Sequence, residues 1–217
     1  MKNIFDFLKQ LCVNNNREWF DSNRGTYKSV KSEFENYVQQ LIDAVSSFDS
    51  SIKDITPKHC VFRINRDTRF SNDKTPYKTN FGAFINPGGK SLFHAGYYLH
   101  IEPDNSFVSG GIYLPPSPIL LNIRTAIYNN PSGFLEIIEN VAFKKEFGKI
   151  EADVLKTAPK GFPRDFEHID LLKFKSFTVS HMLSDEFIEN GDVVSKAIES
   201  FKLLRDFNTF LNKAIID

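Results

Sequence analysis

The densest concentration of reactive side chains lies between His59 and Lys78, where a short apolar run leads into a polar segment. From Arg63 to Lys78 there are five basic and two acidic groups, a local surplus of three in a chain whose 27 Lys and Arg balance 27 Asp and Glu. Arginine offers a planar fork of donors suited to carboxylate or phosphate, and lysine a compact ammonium. Arg63, Arg66, Arg69, Lys74 and Lys78 are therefore candidates for holding an anionic small molecule, in the first place a phosphate-bearing one. Arg66 and Arg69 are three apart and point together if the segment turns. Asp67, Asp73 and Tyr77 are the candidates for moving protons. Asp73 in a basic setting stays ionised, which suits a base or an orienting group. Set against this is a structural reading, in which Asp67 and Asp73 pair with neighbouring cations and the block clasps a long loop to the fold.

Other constellations are weaker. In a strand, side chains two apart share a face, so Tyr98, His100 and Glu102 line up with His94 as an acid/base pair or metal set on paper. The usual outcome of such spacing is a hydrogen-bonded surface, and no metal and no cofactor is expected. His59 and Cys60 are adjacent and point oppositely in a strand, which argues against a local Cys-His nucleophile pair; His168 and His181 stay open as distant partners. Trp19 reads as a core cap, with the wall of a pocket as the alternative. No Walker loop, GxGxxG fingerprint, GxSxG elbow or HExxH helix is present. Arg124, beside Ile123 on a helix that follows Gly111-Ile112-Tyr113, can join the basic cluster in space.

These side chains need elements to position them. Ile4, Phe7, Leu8 and Leu11 predict an opening helix, and Asn16 an N-cap for a second one through Trp19 and Phe20. Tyr27, Val30, Phe34, Tyr37 or Val38, Leu41 and Val45 mark one face of a long helix, with Gly25 as an early interruption. The period then becomes extended, with strands expected over Cys60–Ile64, Asn80–Ile85, His94–Glu102 and Phe107–Leu114. The last two form a hairpin about Pro103-Asp104-Asn105. If the first strand runs straight, Arg63 faces away from Phe62 and Ile64, and a loop begins at Asn65. Gly110-Gly111 predicts a bulge or a close approach by another backbone or a ligand. Ser117-Pro118 starts a helix through Leu120, Ile123 and Ile127, and Asn130-Pro131 another carrying Phe134, Ile137, Ile138 and Val141. Residues 143–177 are the least legible, with an extended piece guessed at Val154-Leu155 or Phe174–Phe177. A final helix follows Gly191, capped by Asp192.

The order helices, strands, helices predicts an α+β fold: a mainly antiparallel sheet packed with N-terminal and C-terminal helices, as a single domain over 1–217. With 41% hydrophobic residues and 22 phenylalanines there is material for a core of large flat side chains. Zero net charge argues against a general nucleic-acid coat protein. The start of the chain lacks the apolar run of a signal peptide, and no window is apolar enough to span a membrane, so a cytoplasmic location is expected. The two cysteines, Cys12 and Cys60, read as small buried hydrophobes. Oligomeric state is left open.

Several blocks resemble one family. They are Asn15-Asn16-Arg17-Glu18-Trp19-Phe20, the string from Arg63-Ile64-Asn65-Arg66-Asp67 through Lys74-Thr75-Pro76-Tyr77-Lys78, and Gly110-Gly111-Ile112-Tyr113-Leu114-Pro115. Leu121-Asn122-Ile123-Arg124 and Leu155–Gly161 extend the likeness over nearly the whole chain. Together they look like the domain-of-unknown-function family 2461, found in bacteria and fungi. The resemblance implies one intracellular domain and carries over no catalytic residues. Three functions follow from the residues: binding of, or chemistry on, an anionic small molecule through the Arg63–Lys78 block; a nucleic-acid-binding module, which neutral charge disfavours; and a protein-interaction or scaffold domain with a salt-bridge clasp.

Overall fold

A computed structural model describes residues 1–91 and 93–216. Three helices open the chain: α1 (Lys2–Val13), α2 (Arg17–Ser22) and α3 (Arg24–Phe48). The Asn16 side chain accepts from the Trp19 N–H at 2.9 Å, capping α2 as its residue type predicts. Val30, Phe34, Val38, Leu41, Ile42 and Val45 form the buried stripe of α3, and Gly25 lies inside the helix without interrupting it.

The expected strand over Cys60–Ile64 is replaced. Pro57–Cys60 forms a single helical turn, α4, started by Thr56, whose N–H donates to His59 Nδ1 at 3.1 Å, and by Pro57 at the first helical position. Only Val61 and Phe62 reach the sheet, through a bridge to Ala83 and an N–H bond from Phe62 to Gly82 at 3.0 Å. The chain then leaves the sheet edge as a hairpin-like arm, closed by the Asn65–Tyr77 bridge and by bonds between Lys78 N–H and Ile64 O and between Arg66 N–H and Pro76 O.

Four antiparallel strands follow in spatial order: β1 (Phe81–Ile85), β2 (Gly96–Ile101), β3 (Ser106–Ile112) and β4 (Phe177–Leu183). The register pairs Ala83 with Leu99 and Leu99 with Val108, which places Tyr97, Leu99, Ile101, Val108 and Val179 on one buried face. Against it packs α10 (Val193–Ile216), whose Phe201, Leu204, Phe207 and Leu211 are fully buried. A Cβ on Gly110 would stand 2.5 Å from Leu204 Cδ1, so this glycine lets helix and sheet approach. Polar pins fix the fit: Asn212 brackets Ala95 with bonds of 2.8 and 3.1 Å, Asn208 donates to Gly96 O at 3.1 Å, and Tyr97 donates to Asp49 at 2.7 Å.

Between β3 and β4 lie α5 (Ser117–Asn129), α6 (Pro131–Ile138), α7 (Val141–Phe147) and α8 (Ile169–Leu172), and α9 (Asp185–Asn190) precedes α10. The single helix expected from Phe134 to Val141 is two. Asn140 breaks it by capping α7, its side chain accepting from the N–H groups of Ala142 and Phe143, and Val141 is exposed. The guessed extended pieces meet each other in a Val154–Phe174 bridge, and the real strand begins at Phe177. The buried residues of helices and sheet form one continuous core. The other face of the sheet stays partly open to solvent. No helix among the described residues is long and apolar enough to cross a membrane.

Candidate functional site

The open sheet face is built by the alternate residues of each strand: Phe84, then Tyr98 and His100, then Phe107 and Ser109, then Thr178, Ser180 and Met182. It holds a cleft of about 410 Å³, walled by Phe62, Phe84, Tyr98 and Phe107 and floored by Ser109 and Ser180. Such a volume suits a small molecule. The walls form an aromatic cluster, with Tyr98 at 6.2 Å from Phe62, 6.4 Å from Phe84 and 5.7 Å from Phe107, ring centre to ring centre. Gly111 at the end of the floor has φ 108°, and a Cβ there would meet Phe177 O at 1.9 Å, so of the two readings of Gly110-Gly111 the close backbone approach holds, while the strand pairing runs through both glycines without a bulge.

Tyr98 also belongs to a chain of hydrogen bonds along β2. Its hydroxyl lies 2.8 Å from His100 Nδ1, and His100 Nε2 lies 3.1 Å from Glu102 Oε2. Glu102 accepts further from Thr79 at 2.7 Å and Asn105 at 2.9 Å, and Asn80 Nδ2 reaches His100 Nδ1 at 3.2 Å. A carboxylate only accepts, so Nε2 carries the imidazole proton and Nδ1 receives those of Tyr98 and Asn80. Burial holds His100 below its ordinary pKa despite the pull of Glu102, and the imidazole is neutral at pH 7. Burial also pushes the Tyr98 hydroxyl up to about 12. Burial raises Glu102 as well, but the bonds from Thr79, Asn105 and His100 outweigh it and the carboxylate ends below its usual range. Gly82 makes room for the chain, since a Cβ there would stand 2.5 Å from the Tyr98 hydroxyl.

The arm carries most of the sequence-predicted residues, and its charges largely face one another. Arg66 bonds Asp73 and Thr75. Arg69 grips Asp67 with two bonds of 2.9 and 2.7 Å and lies over the Phe70 ring. Lys74 donates to Thr68 O at 2.9 Å. The Thr75 N–H, then Arg66, hold Asp73 down at about 2, and Arg69 lowers Asp67. Tyr77 is buried, stacked on Phe20 at 3.8 Å, while Asn15 brackets its backbone with bonds of 2.9 and 3.1 Å. A shallower hollow of about 340 Å³ at the arm's base is lined by Arg66, Asp73, Lys78 and Asn80.

Two cations stand apart from these pairs. Arg63 is exposed, and the half-buried Lys78 ammonium lies 5.5 Å above the Phe62 ring that walls the cleft. Burial, then repulsion from Arg63, lowers the Lys78 pKa. Arg124 is held elsewhere: it donates to Phe174 O at 3.0 Å, and its Nε is buried with no partner among the described residues. Of the four residues read as one polar strand face, Tyr98, His100 and Glu102 do converge. His94 lies in the cleft wall, its Nδ1 buried without a hydrogen bond among the described residues. Among the described residues no group of three or more His, Cys, Asp or Glu is placed to hold a metal.

The sequence reading missed Thr79 and Asn80, which tie the arm to the hydrogen-bond chain along β2, and Thr178 and Ser180, which lie on the unread β4. The alternation Thr178, Ser180, Met182 against Phe177, Val179, Leu183 was the available signal. No curated protein and no solved structure matches the chain. The family model described as "Conserved hypothetical protein (DUF2461)" matches residues 3–210, the family that the arm and Gly110–Pro115 blocks resemble. The chain belongs to that family.

Proposed function

We propose that the protein binds an anionic, phosphate-bearing small molecule in the open-face cleft and exchanges a proton with it through Tyr98, His100 and Glu102. The carrying observation is that Tyr98 both walls the cleft and bonds a neutral, carboxylate-backed imidazole. A neutral histidine oriented by a carboxylate is a competent base, and a tyrosine between it and a ligand passes the proton on. Of the candidate cations, Lys78 and Arg63 are the pair for the anionic group, because Lys78 lies beside the cleft wall and has lost part of its hydration. The two cysteines are free, Cys60 buried as expected and Cys12 exposed against expectation, and free thiols fit the proposed cytoplasmic setting.

Arg66, Arg69, Asp67 and Asp73 support a second, structural role within the same protein, because their ion pairs brace the arm that delivers Lys78, Thr79 and Asn80. An open sheet with aromatic residues also resembles a single-strand nucleic-acid platform. Such a platform needs cations along the strand path, and what β4 presents on this face is Thr178, Ser180 and Met182.

Thermal-shift screening with nucleotides and sugar phosphates tests the proposal. Stabilisation by a hit should vanish in Lys78→Met, weaken in Tyr98→Phe and persist in Arg69→Ala. A hit that survives Lys78→Met but is lost in Arg69→Ala moves the site to the arm, and a panel without any hit removes the proposal.

A further inference from the structure

Four hydroxyls on the sheet side of the cleft, those of Tyr98, Ser109, Thr178 and Ser180, share a polarity. Ser109 Oγ donates to Val179 O at 2.7 Å, Ser180 Oγ donates to Ser109 Oγ at 3.3 Å, and Thr178 Oγ1 donates to Glu151 O at 2.9 Å. The Tyr98 hydroxyl donates to His100 Nδ1, because that nitrogen is the bare one. In these four each proton already has a protein acceptor, whereas Ser91 and Tyr113 at the rim keep theirs free among the described residues. What remains toward the cleft is lone pairs. A surface of this kind recognises hydrogen-bond donors and leaves an acceptor-only ligand with unmatched groups, which is costly where water is displaced.

We infer that the cleft selects a ring-shaped ligand that presents N–H or O–H donors to the Tyr98, Ser109, Thr178 and Ser180 oxygens and carries its anionic group at the Lys78 end. This rests on the proposed cleft function and adds the ligand's polarity. The aromatic walls agree with it: Phe62, Phe84, Tyr98 and Phe107 offer ring faces and edges to a flat or ring-shaped body. An amino-substituted heteroaromatic phosphate and a sugar phosphate share this chemistry, and paired probes tell them apart.

The experiment is isothermal titration calorimetry on the full chain with two pairs. One is adenosine 5′-monophosphate against purine riboside 5′-monophosphate, which lacks the amino group. The other is glucose 6-phosphate against its O-methylated analogue. In whichever pair binds, the member stripped of donors should bind about tenfold more weakly or worse, the equivalent of one or two matched bonds. Ser180→Ala should narrow that ratio by removing one acceptor. Equal affinity within the binding pair, with Lys78→Met still weakening it, overturns the donor selection and leaves the anion cleft standing. Absence of binding by all four probes and by inorganic phosphate overturns both.

Discussion

The sharpest test of the Tyr98–His100–Glu102 relay needs no ligand. His100 Nδ1 has one in-plane lone pair and two donors, Tyr98 at 2.8 Å and Asn80 at 3.2 Å. Removing the tyrosine hydroxyl in Tyr98→Phe leaves Asn80 in place, so the loss is about one net hydrogen bond, ~0.5–1 kcal/mol. Asn80→Ala costs a similar amount for the same reason. The double variant leaves a buried imidazole acceptor with no partner, and that penalty is about 1–3 kcal/mol beyond the lost bonds. The His100 side chain is 12% exposed, so water offers little relief. The double variant should therefore be destabilised by about 1 kcal/mol or more beyond the sum of the single ones. Urea unfolding of the four proteins measures this coupling directly. Additive losses, within about 0.5 kcal/mol, would show that the two donors do not share Nδ1, and the tautomer assignment would fall with them.

Three further outcomes follow from the same geometry. Because burial depresses the His100 pKa from its ordinary 6.5, the unfolded chain binds that proton more readily, so stability should decline as the pH drops from about 6.5 through the lower folded value. A pH series of unfolding midpoints reads this, and His100→Gln should lack the decline between about pH 6.5 and 5; an unchanged profile would contradict the assignment. Gly111→Ala should cost about 3 kcal/mol or more, since φ 108° and the Phe177 carbonyl both oppose a Cβ; thermal unfolding close to wild type would refute it. Glu146, 16% exposed, accepts from Lys196 at 2.8 Å and Ser200 at 2.5 Å, so Glu146→Gln should destabilise by about 1–3 kcal/mol by leaving Lys196 without its counter-charge, and an unshifted urea midpoint would contradict that.

Much of the architecture is legible locally. The β2–β3 hairpin follows from the Gly96–Ile101 alternation and the turn at Pro103–Asn105, and the long α3 and α10 from apolar residues at helical spacing. What hid β4 is His181, an inward residue that interrupts the apolar alternation because its Nδ1 bonds the Glu146 carbonyl on α7 at 3.0 Å, a tertiary fact. Cys60 looked extended because apolar residues surround it, and the Thr56-Pro57 start signal outranked that pattern. The period of two placed Tyr98, His100 and Glu102 on one face. Nothing in their spacing could bring in Asn80 and Thr79, which arrive on an arm whose path depends on the Asn15 bracket and the Phe20–Tyr77 stack. Charge density likewise pointed to the arm as a whole, while only packing separates Lys78 from the cations that pair along it.

The most direct measurement is an amide ¹⁵N–¹H titration of the full chain with adenosine 5′-monophosphate and glucose 6-phosphate, mapped by residue. The cleft account predicts that the perturbed amides cluster at Tyr98, Ser109, Gly111 and Ser180, with Lys78 at one end, and that the arm tip around Arg69 stays still. Shifts confined to residues 66–75, or none with either compound, would contradict it.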